Sequence, residues 1–195
     1  RAAERWSDVL ANDGIHIGGT DFDKQLSLAE VMPLLGHRSQ LKSGREMPAS
    51  IYFNLATWHT INFAYTRQVW AEQQRLHLDA ITPELLDRLL ALIRDRAGHW
   101  LAYQVEEVKI ALSNQETAQL SLERFSPGQQ KLLTRSQFDL AARVLVEKIE
   151  AAVARLLPEA GVTASGIDTV FFTGGSSGIP LLRRRIASLL PQARV

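Results

Sequence analysis

The chain has 195 residues, of which 46% are hydrophobic and 22% are charged, and these proportions are ordinary for a soluble globular protein. The 22 lysines and arginines against 21 acids leave a net charge of +1, so no global field favours nucleic acid or an anionic membrane as a partner. The absence of cysteine excludes disulfides and thiolate chemistry, and no run of about 18 apolar residues is present that could span a membrane. We therefore expect a cytoplasmic protein without a nucleic-acid or membrane partner.

The two ends of the chain predict that it is a fragment of a larger protein. It begins at Arg1 without a methionine and stops shortly after Pro191. Any active site that it contributes to is therefore expected to be incomplete within these residues.

The first part of the chain predicts a strand pair followed by a helix. Residues 8–17 are typical of a strand, an Asn-Asp-Gly turn and a second short extended piece. A helix is expected next, with Thr20 as its cap and with Pro33 and Gly36 at its end. Residues 37–48 are polar and rich in turn formers, which indicates a loop.

The middle of the chain predicts mainly helices. Residues 49–77 are apolar and rich in aromatic side chains, and we expect mostly helical structure there. A helix restarts at Thr82-Pro83-Glu84, and a further helix over residues 101–112 repeats its apolar side chains at steps of four, three and four. Residues 118–122 alternate between apolar and polar, which is the period of a half-buried strand.

The last part of the chain predicts a long helix, a strand and a final helix. The segment Leu133-Thr-Arg-Ser-Gln-Phe138 combines a capping box with a hydrophobic staple, which is a strong signal for a helix start. Pro158 and Gly161 are expected to end this helix. A buried strand predicted at residues 167–173 then leads through a glycine-rich turn into a helix over about residues 180–190.

The segment Thr173-Gly-Gly-Ser-Ser-Gly-Ile-Pro180 is the most informative part of the sequence. Its glycines remove side chains where the backbone reverses, so a ligand can approach the main chain closely. The unpaired N–H groups at the start of the following helix suit an anion or a polar ligand edge. The segment is therefore the prime candidate for a ligand-contacting loop, and a tight connection without a ligand is the alternative.

Residue chemistry narrows the class of ligand for this turn. A P-loop needs a lysine and a Ser or Thr where the chain has Gly178-Ile179-Pro180, so that class is excluded. The spacing of Gly174, Ser176 and Gly178 matches the nucleophile elbow of serine hydrolases, but no Asp, Glu or His follows as far as Val195. Two interpretations of the segment remain. It is either a turn that contacts a nucleotide through its shape and backbone hydrogen bonds, or a tight strand-to-helix connection that binds no ligand.

Other polar groups give weaker signals. Asp21 and Asp23 lie at a predicted helix start, where acids favour the helix dipole, and metal or acid–base chemistry is the less favoured alternative. The five histidines never fall at the close spacing of a zinc site, and Arg183-Arg-Arg185 fits a solvated helix face. We predict no metal site and no catalytic residue within this chain.

Three polar residues on one predicted helix form a second candidate group. Glu106, Lys109 and Ser113 lie at positions i, i+3 and i+7, so an acceptor, a cation and a hydroxyl share one side of the helix. A surface ion pair beside a bystander serine is the favoured interpretation of these residues alone. Ligand contact is the alternative.

Four segments of the chain resemble, in order, segments of the DnaK-type chaperone ATPase domain. They are Gly18-Gly-Thr-Asp-Phe-Asp23, Glu106-Glu-Val-Lys-Ile-Ala-Leu-Ser113, Leu133-Thr-Arg-Ser-Gln-Phe138 and Thr173-Gly-Gly-Ser-Ser-Gly-Ile-Pro180. The similarity is clear over residues 8–36 and 98–190. Within the family the chain looks closest to the divergent YegD-like branch, which also has a Met-Pro-Leu-Leu-Gly segment such as Met32 to Gly36.

The resemblance implies part of an α/β ATPase lobe with the actin-like, ribonuclease-H-like fold and a largely helical insert. Residues 1–19 and 131–195 would form the nucleotide-binding α/β subdomain, and residues 20–130 a helical, lid-like subdomain. The implied ligand in the full-length protein is ATP or ADP with Mg²⁺, and hydrolysis would be coupled to lobe closure. Unfolded polypeptide or co-chaperones are the implied partners, and the fragment alone is expected to be inactive.

The resemblance also implies which residues contact the nucleotide. Glu106, Lys109 and Ser113 match the helical residues that hold the ribose and adenine, and Gly18 and Gly19 lie near the phosphate end. Gly174, Gly175, Ser176 and Ile179 match the turn that contacts the nucleotide from the opposite side.

Two positions depart from the family pattern. Typical members have arginines that sandwich the adenine where this chain has Ile110 and Gly178. We therefore expect weaker nucleotide binding and less strict recognition of adenine. Two other functions stay open, a nucleotide-sensing or scaffolding pseudo-ATPase and a sugar kinase of the same superfold, which would need a sugar-binding acid outside these residues.

Overall fold

A computed structural model describes residues 8–194, and the chain divides into two compact units. One unit comprises residues 1–19 and 142–195, and the other comprises residues 20–141. We call them the terminal unit and the helical unit. Across the described residues, no helix combines the length and the apolar character that a membrane span needs.

The helical unit contains the helices predicted for the middle of the chain. Their bounds are α1 Gly19–Leu26, whose first residue belongs to the terminal unit, α2 Ser50–Leu55, α3 Arg67–Asp79, α4 Pro83–Arg94 and α5 Gly98–Asn114. A 3-10 stretch, Trp58–Tyr65, lies between α2 and α3. The predicted helical character of residues 49–77 and the helices at 83 and 101–112 are therefore confirmed.

The first helix differs in detail from its prediction. It begins at Gly19, so Thr20 lies inside it and is not its cap. A π-helical turn, Ser27–Val31, and a 3-10 turn, Met32–Leu35, extend it to the predicted end at Gly36. Gly36 has a φ of 102°, a left-handed conformation that favours glycine, and a Cβ atom there would lie 2.8 Å from the terminal methyl group Leu86 Cδ1.

A β-hairpin follows α5. Strand β1, Thr117–Ser121, confirms the predicted alternation and pairs antiparallel with β2, Gln130–Thr134, in a register that sets Thr117 opposite Thr134. The sequence did not predict β2, because its polar first residues carry no alternating pattern and the helix-start signal overlaps its end. Leu120 and Leu133 are fully buried, which fixes one face of the hairpin on the core.

The long helix α6, Arg135–Glu159, begins as predicted. The Thr134 backbone N–H donates to Gln137 Oε1 at 2.9 Å, and the Gln137 backbone N–H donates to Thr134 Oγ1 at 3.3 Å, so the capping box is confirmed. Pro158 lies within the last turn of α6, and Gly161 follows at a φ of 67°.

We expect Thr134→Ala to lower the free energy of unfolding by about 1 kcal/mol, because the first turn of α6 loses its side-chain acceptor. Urea unfolding followed by circular dichroism measures this change. Ser136→Ala, at an exposed position in the same turn, is the matched control. Equal stability losses in the two variants would show that the cap contributes nothing.

The terminal unit contains the C-terminal part of α6 and helix α7, Pro180–Leu189, which confirms the predicted last helix. Two ion pairs hold its segments together. Arg155 Nη2 lies 3.0 Å from Asp13 Oδ2, and Arg185 Nε donates to Glu150 Oε2 at 2.9 Å.

The strands predicted at residues 8–17 and 167–173 are wrong for this structure. Within the described residues, the second segment pairs only through an isolated parallel bridge between Thr169 and Arg194, and the first segment forms no ladder. Phe171 is 87% exposed rather than buried. An apolar run becomes a buried strand only when neighbouring strands satisfy its backbone and cover its faces, and the described residues provide no such strands beside these segments.

Candidate functional site

Helix α5 positions the first candidate group. Lys109 Nζ lies 2.8 Å from Asp23 Oδ1 and donates a hydrogen bond to Asp23 Oδ2 at 3.0 Å. The two side chains are only 12% and 17% exposed. Ser113 Oγ donates to the Lys109 carbonyl oxygen at 3.0 Å, one helical turn back. The ion pair of Lys109 is therefore largely buried, in contrast to the surface pair that the residues alone favour.

The electrostatics of this pair depend on its burial. Loss of solvent raises the pKa of the Asp23 carboxyl, the Lys109 ammonium lowers it, and the nearby Glu106 carboxylate raises it, with a net upward shift. Asp23 Oδ1 accepts no hydrogen bond within the described part of the chain, so its contact with Lys109 is electrostatic. Lys109 is therefore the group that lowers the pKa of Asp23 against the effect of burial.

The other α5 candidates face solvent. Glu106 is exposed, and Ile110 is 49% exposed, directly after Lys109. The helix thus presents a half-exposed apolar side chain at the position where the resemblance predicts an adenine-stacking arginine.

The glycine turn of the terminal unit has the predicted shape. Gly174 has a φ of 82°, the 3-10 turn Gly175–Gly178 follows, and α7 starts at Pro180. A Cβ atom at any of the three glycines would meet no other atom within 4 Å. The backbone of the turn is therefore an open cradle, which fits a ligand that packs directly against the main chain.

Hydrogen bonds fix this open turn on α7. Ser177 Oγ donates to the Gly174 carbonyl oxygen, and Arg183 Nε donates to the Ser177 carbonyl oxygen at 2.9 Å. Ile179 is buried and anchors the end of the turn, while Ser176 is half-buried. The cradle is thus preorganised by its own helix.

Gly18 and Gly19 lie at the start of α1, where Gly18 is exposed and Gly19 is the first helical residue. Within residues 8–194, no three His, Asp or Glu side chains group closely enough to hold a metal ion. The structure thus gathers the sequence candidates into three local groups, the α1 start, the outer side of α5 and the glycine turn.

Sequence reasoning missed the role of Asp23. We assigned it to the helix dipole, whereas it is the partner of Lys109, 86 residues away along the chain. No local spacing relates two such positions, and only the packing of α1 beside α5 reveals the pair.

A comparison with known protein families shows to which family the chain belongs. Residues 91–194, more than half of the chain, match the family described as Hsp70 protein. The chain belongs to the Hsp70 family. The Hsp70 match includes both α5 and the glycine turn, and it implies the actin-like ATPase fold that the resemblance predicts.

Individual Hsp70-type chaperones are similar over about half of the chain. Chaperone protein HscA of Pectobacterium carotovorum subsp. carotovorum (strain PC1) is 34% identical over 113 residues, which cover 52% of this chain and 18% of that protein. HscA of Yersinia pseudotuberculosis serotype I (strain IP32953) is 37% identical over 111 residues, covering 51% and 17%. The chain thus matches less than a fifth of the length of these relatives.

Proposed function

We propose that this chain is the second nucleotide-binding lobe of a cytoplasmic Hsp70-type chaperone ATPase of the YegD-like branch. The observation that carries the proposal is that the Hsp70 match includes both the α5 residues and the open glycine turn. In the full-length protein the ligand is ATP or ADP with Mg²⁺, and the partners are unfolded polypeptide or co-chaperones.

The α5 residues have separate roles in this proposal. Glu106 accepts hydrogen bonds from the ribose hydroxyls, Lys109 donates to the ribose, and Ser113 lies on the side of the base. Asp23 holds the Lys109 ammonium in place before the ligand arrives. Because this long side chain is already ordered, binding loses less side-chain entropy.

The glycine turn and the α1 start complete the proposed contacts. The backbone of Gly174 and Gly175 packs against the base, and Ser176 and Ile179 border the turn. Gly18 and Gly19 lie toward the phosphates. Mg²⁺ supplies charge neutralisation for phosphoryl transfer to water when it is bound with ATP.

We also propose the subdomain assignment implied by the resemblance. Residues 1–19 and 131–195 form the nucleotide-binding α/β part, and residues 20–130 form a helical lid whose closure is coupled to hydrolysis. The division of the chain into two compact units supports a two-part organisation.

We expect Gly175→Val to weaken ATP binding by the full-length protein at least about tenfold, because the side chain fills the cradle. The fold tolerates the change, since no atom lies within 4 Å of a Cβ at Gly175 and its φ is not left-handed. Calorimetric titration and melting temperature measure the two effects. Gly14→Val is the matched control, because a Cβ at Gly14 also meets no atom within 4 Å. Unchanged ATP binding by Gly175→Val would identify the turn as a plain connection.

Turnover by the full-length protein tests the proposed activity. We expect Mg²⁺-dependent ATP hydrolysis that EDTA abolishes, whereas the purified 195-residue chain alone is inactive. A pseudo-ATPase is the second candidate, and Ile110 and Gly178 favour it because isoleucine has no planar cation and glycine has no side chain to stack on adenine as an arginine does. ATP binding without turnover would select the pseudo-ATPase, and absence of binding would overturn both functions.

A further inference from the structure

A cavity of about 240 Å³ lies in the helical unit between α1, the end of α2 and α5. Leu55, Ala102 and Val105 contribute the apolar part of its wall. This volume accommodates a single aromatic ring with a short side chain. All of the residues that line it belong to the helical unit.

Trp58 gives the cavity an aromatic wall. Its side chain lines the cavity and remains 52% exposed. The His99 ring packs edge-on against the indole, with the ring centroids 4.9 Å apart and the planes at 83°. The indole is therefore held by a neighbour while keeping surface for a ligand, and a large exposed aromatic group of this kind favours stacking and cation–π contact.

The charges around the cavity favour a cation. Both titratable residues that line it, Asp23 and Glu106, are acids. Lys109 neutralises one of them through its ion pair with Asp23, so one net negative charge remains at the cavity. The nearest cation on α1, Lys24, is directed at the Phe53 ring, 5.9 Å from its centroid.

The backbone beside the cavity is also unusual. Ser27, which lines the cavity, is the first residue of the π-helical turn that follows α1. Such turns are rare and occur frequently at functional sites. This observation is independent of the charge and the aromatic wall.

We propose that this cavity binds a small organic cation with an aromatic body, of the arylalkylammonium class. The aromatic ring packs between Trp58 and the apolar wall, and the ammonium group pairs with the Glu106 carboxylate. The cavity shares Glu106 with the proposed nucleotide contacts, so the cation is tested in the absence of nucleotide.

Three probes of similar size test the charge preference in the full-length protein. They are 2-phenylethylammonium, the neutral 2-phenylethanol and the anionic 3-phenylpropionate, each titrated by ligand-observed NMR. We expect 2-phenylethylammonium to bind with a Kd on the order of 1 mM, as suits a ligand of this size. The alcohol binds about tenfold more weakly, and the carboxylate does not bind. Equal affinity for all three probes, or binding of none, would overturn the proposal.

Two variants locate the binding site, and a neighbouring acid provides the control. We expect Glu106→Gln and Trp58→Ala each to weaken 2-phenylethylammonium binding at least about fivefold. Glu107→Gln changes the same charge on the same helix without altering the cavity lining and leaves binding unchanged. Equal affinities of the Glu106→Gln and Glu107→Gln variants for 2-phenylethylammonium would contradict the proposed binding site. The melting temperatures of the two variants verify that both remain folded.

Discussion

Replacing Lys109 with methionine lowers the free energy of unfolding at pH 7 by about 2–3 kcal/mol, since removal of one partner from a buried ion pair leaves the other uncompensated. The remaining partner, Asp23, is 17% exposed, so water compensates little for the lost ammonium. Methionine retains most of the apolar length of the side chain, and the loss therefore reports the charge. Urea unfolding of the two proteins measures the difference.

The pH dependence of this loss separates a charge effect from a packing effect. The folded-state pKa of Asp23 is above its ordinary value of 3.8, so its contribution to stability is fully present below pH 3.8 and is lost as the pH rises through the folded-state pKa. Removal of Lys109 raises that pKa further, because the two effects that lower it both come from Lys109. The destabilisation by Lys109→Met is therefore largest at pH 7 and decreases on acidification.

An exposed lysine is the control for this prediction. Lys148 is exposed on α6, and Lys148→Met should change the free energy of unfolding by less than about 0.5 kcal/mol both at pH 7 and at lower pH. A loss in Lys109→Met that equals the control, or that does not decrease as the pH falls from 7 toward 3.8, would contradict the role of the ion pair.

Placing arginine at the two positions where typical family members have it is expected to increase the affinity of the full-length protein for ATP by about one to three orders of magnitude. Stacking of a guanidinium on a base contributes roughly 0.5–2 kcal/mol per arginine, and 1.4 kcal/mol is tenfold in affinity. The structure accepts both side chains. Ile110 is 49% exposed, and Gly178 has neither a left-handed φ nor an atom within 4 Å of its Cβ position. The variant to test is Ile110→Arg with Gly178→Arg.

Two comparisons distinguish stacking from added charge. Ile110→Lys with Gly178→Lys carries the same charge without a planar guanidinium and should gain less affinity for ATP. Inorganic triphosphate, which has no purine, should gain little from the arginines. A folded double-arginine variant that binds ATP no better than the unaltered protein would show that these two positions do not contact the base as they do in the relatives.

Local signals predicted the structure well where neighbouring residues decide it. The capping box at Thr134, the helix end at Gly36 and the start of α7 at Pro180 were all correct, because each depends on a few consecutive residues. The shape of the glycine turn was predictable for the same reason. The sequence therefore predicted most helices of the helical unit and the position of the glycine turn.

Features that depend on distant residues were not predictable. The segments at 8–17 and 167–173 have the composition of strands, but a strand needs a hydrogen-bonded neighbour. Within residues 8–194, the second segment pairs only through the Thr169–Arg194 bridge. The ion pair between Asp23 and Lys109 arises from the packing of two helices that are far apart in the chain. The cavity beside Trp58 likewise depends on how α1, α2 and α5 pack together.

Photolabelling of the full-length protein with 2-azido-ATP, followed by mass spectrometry of its peptides, tests most directly the claim that α5 and the glycine turn contact a nucleotide. We predict modification within residues 106–113 and 174–180, and protection of both segments by excess ATP. Labelling confined to other segments, or labelling that excess ATP does not displace, would contradict it.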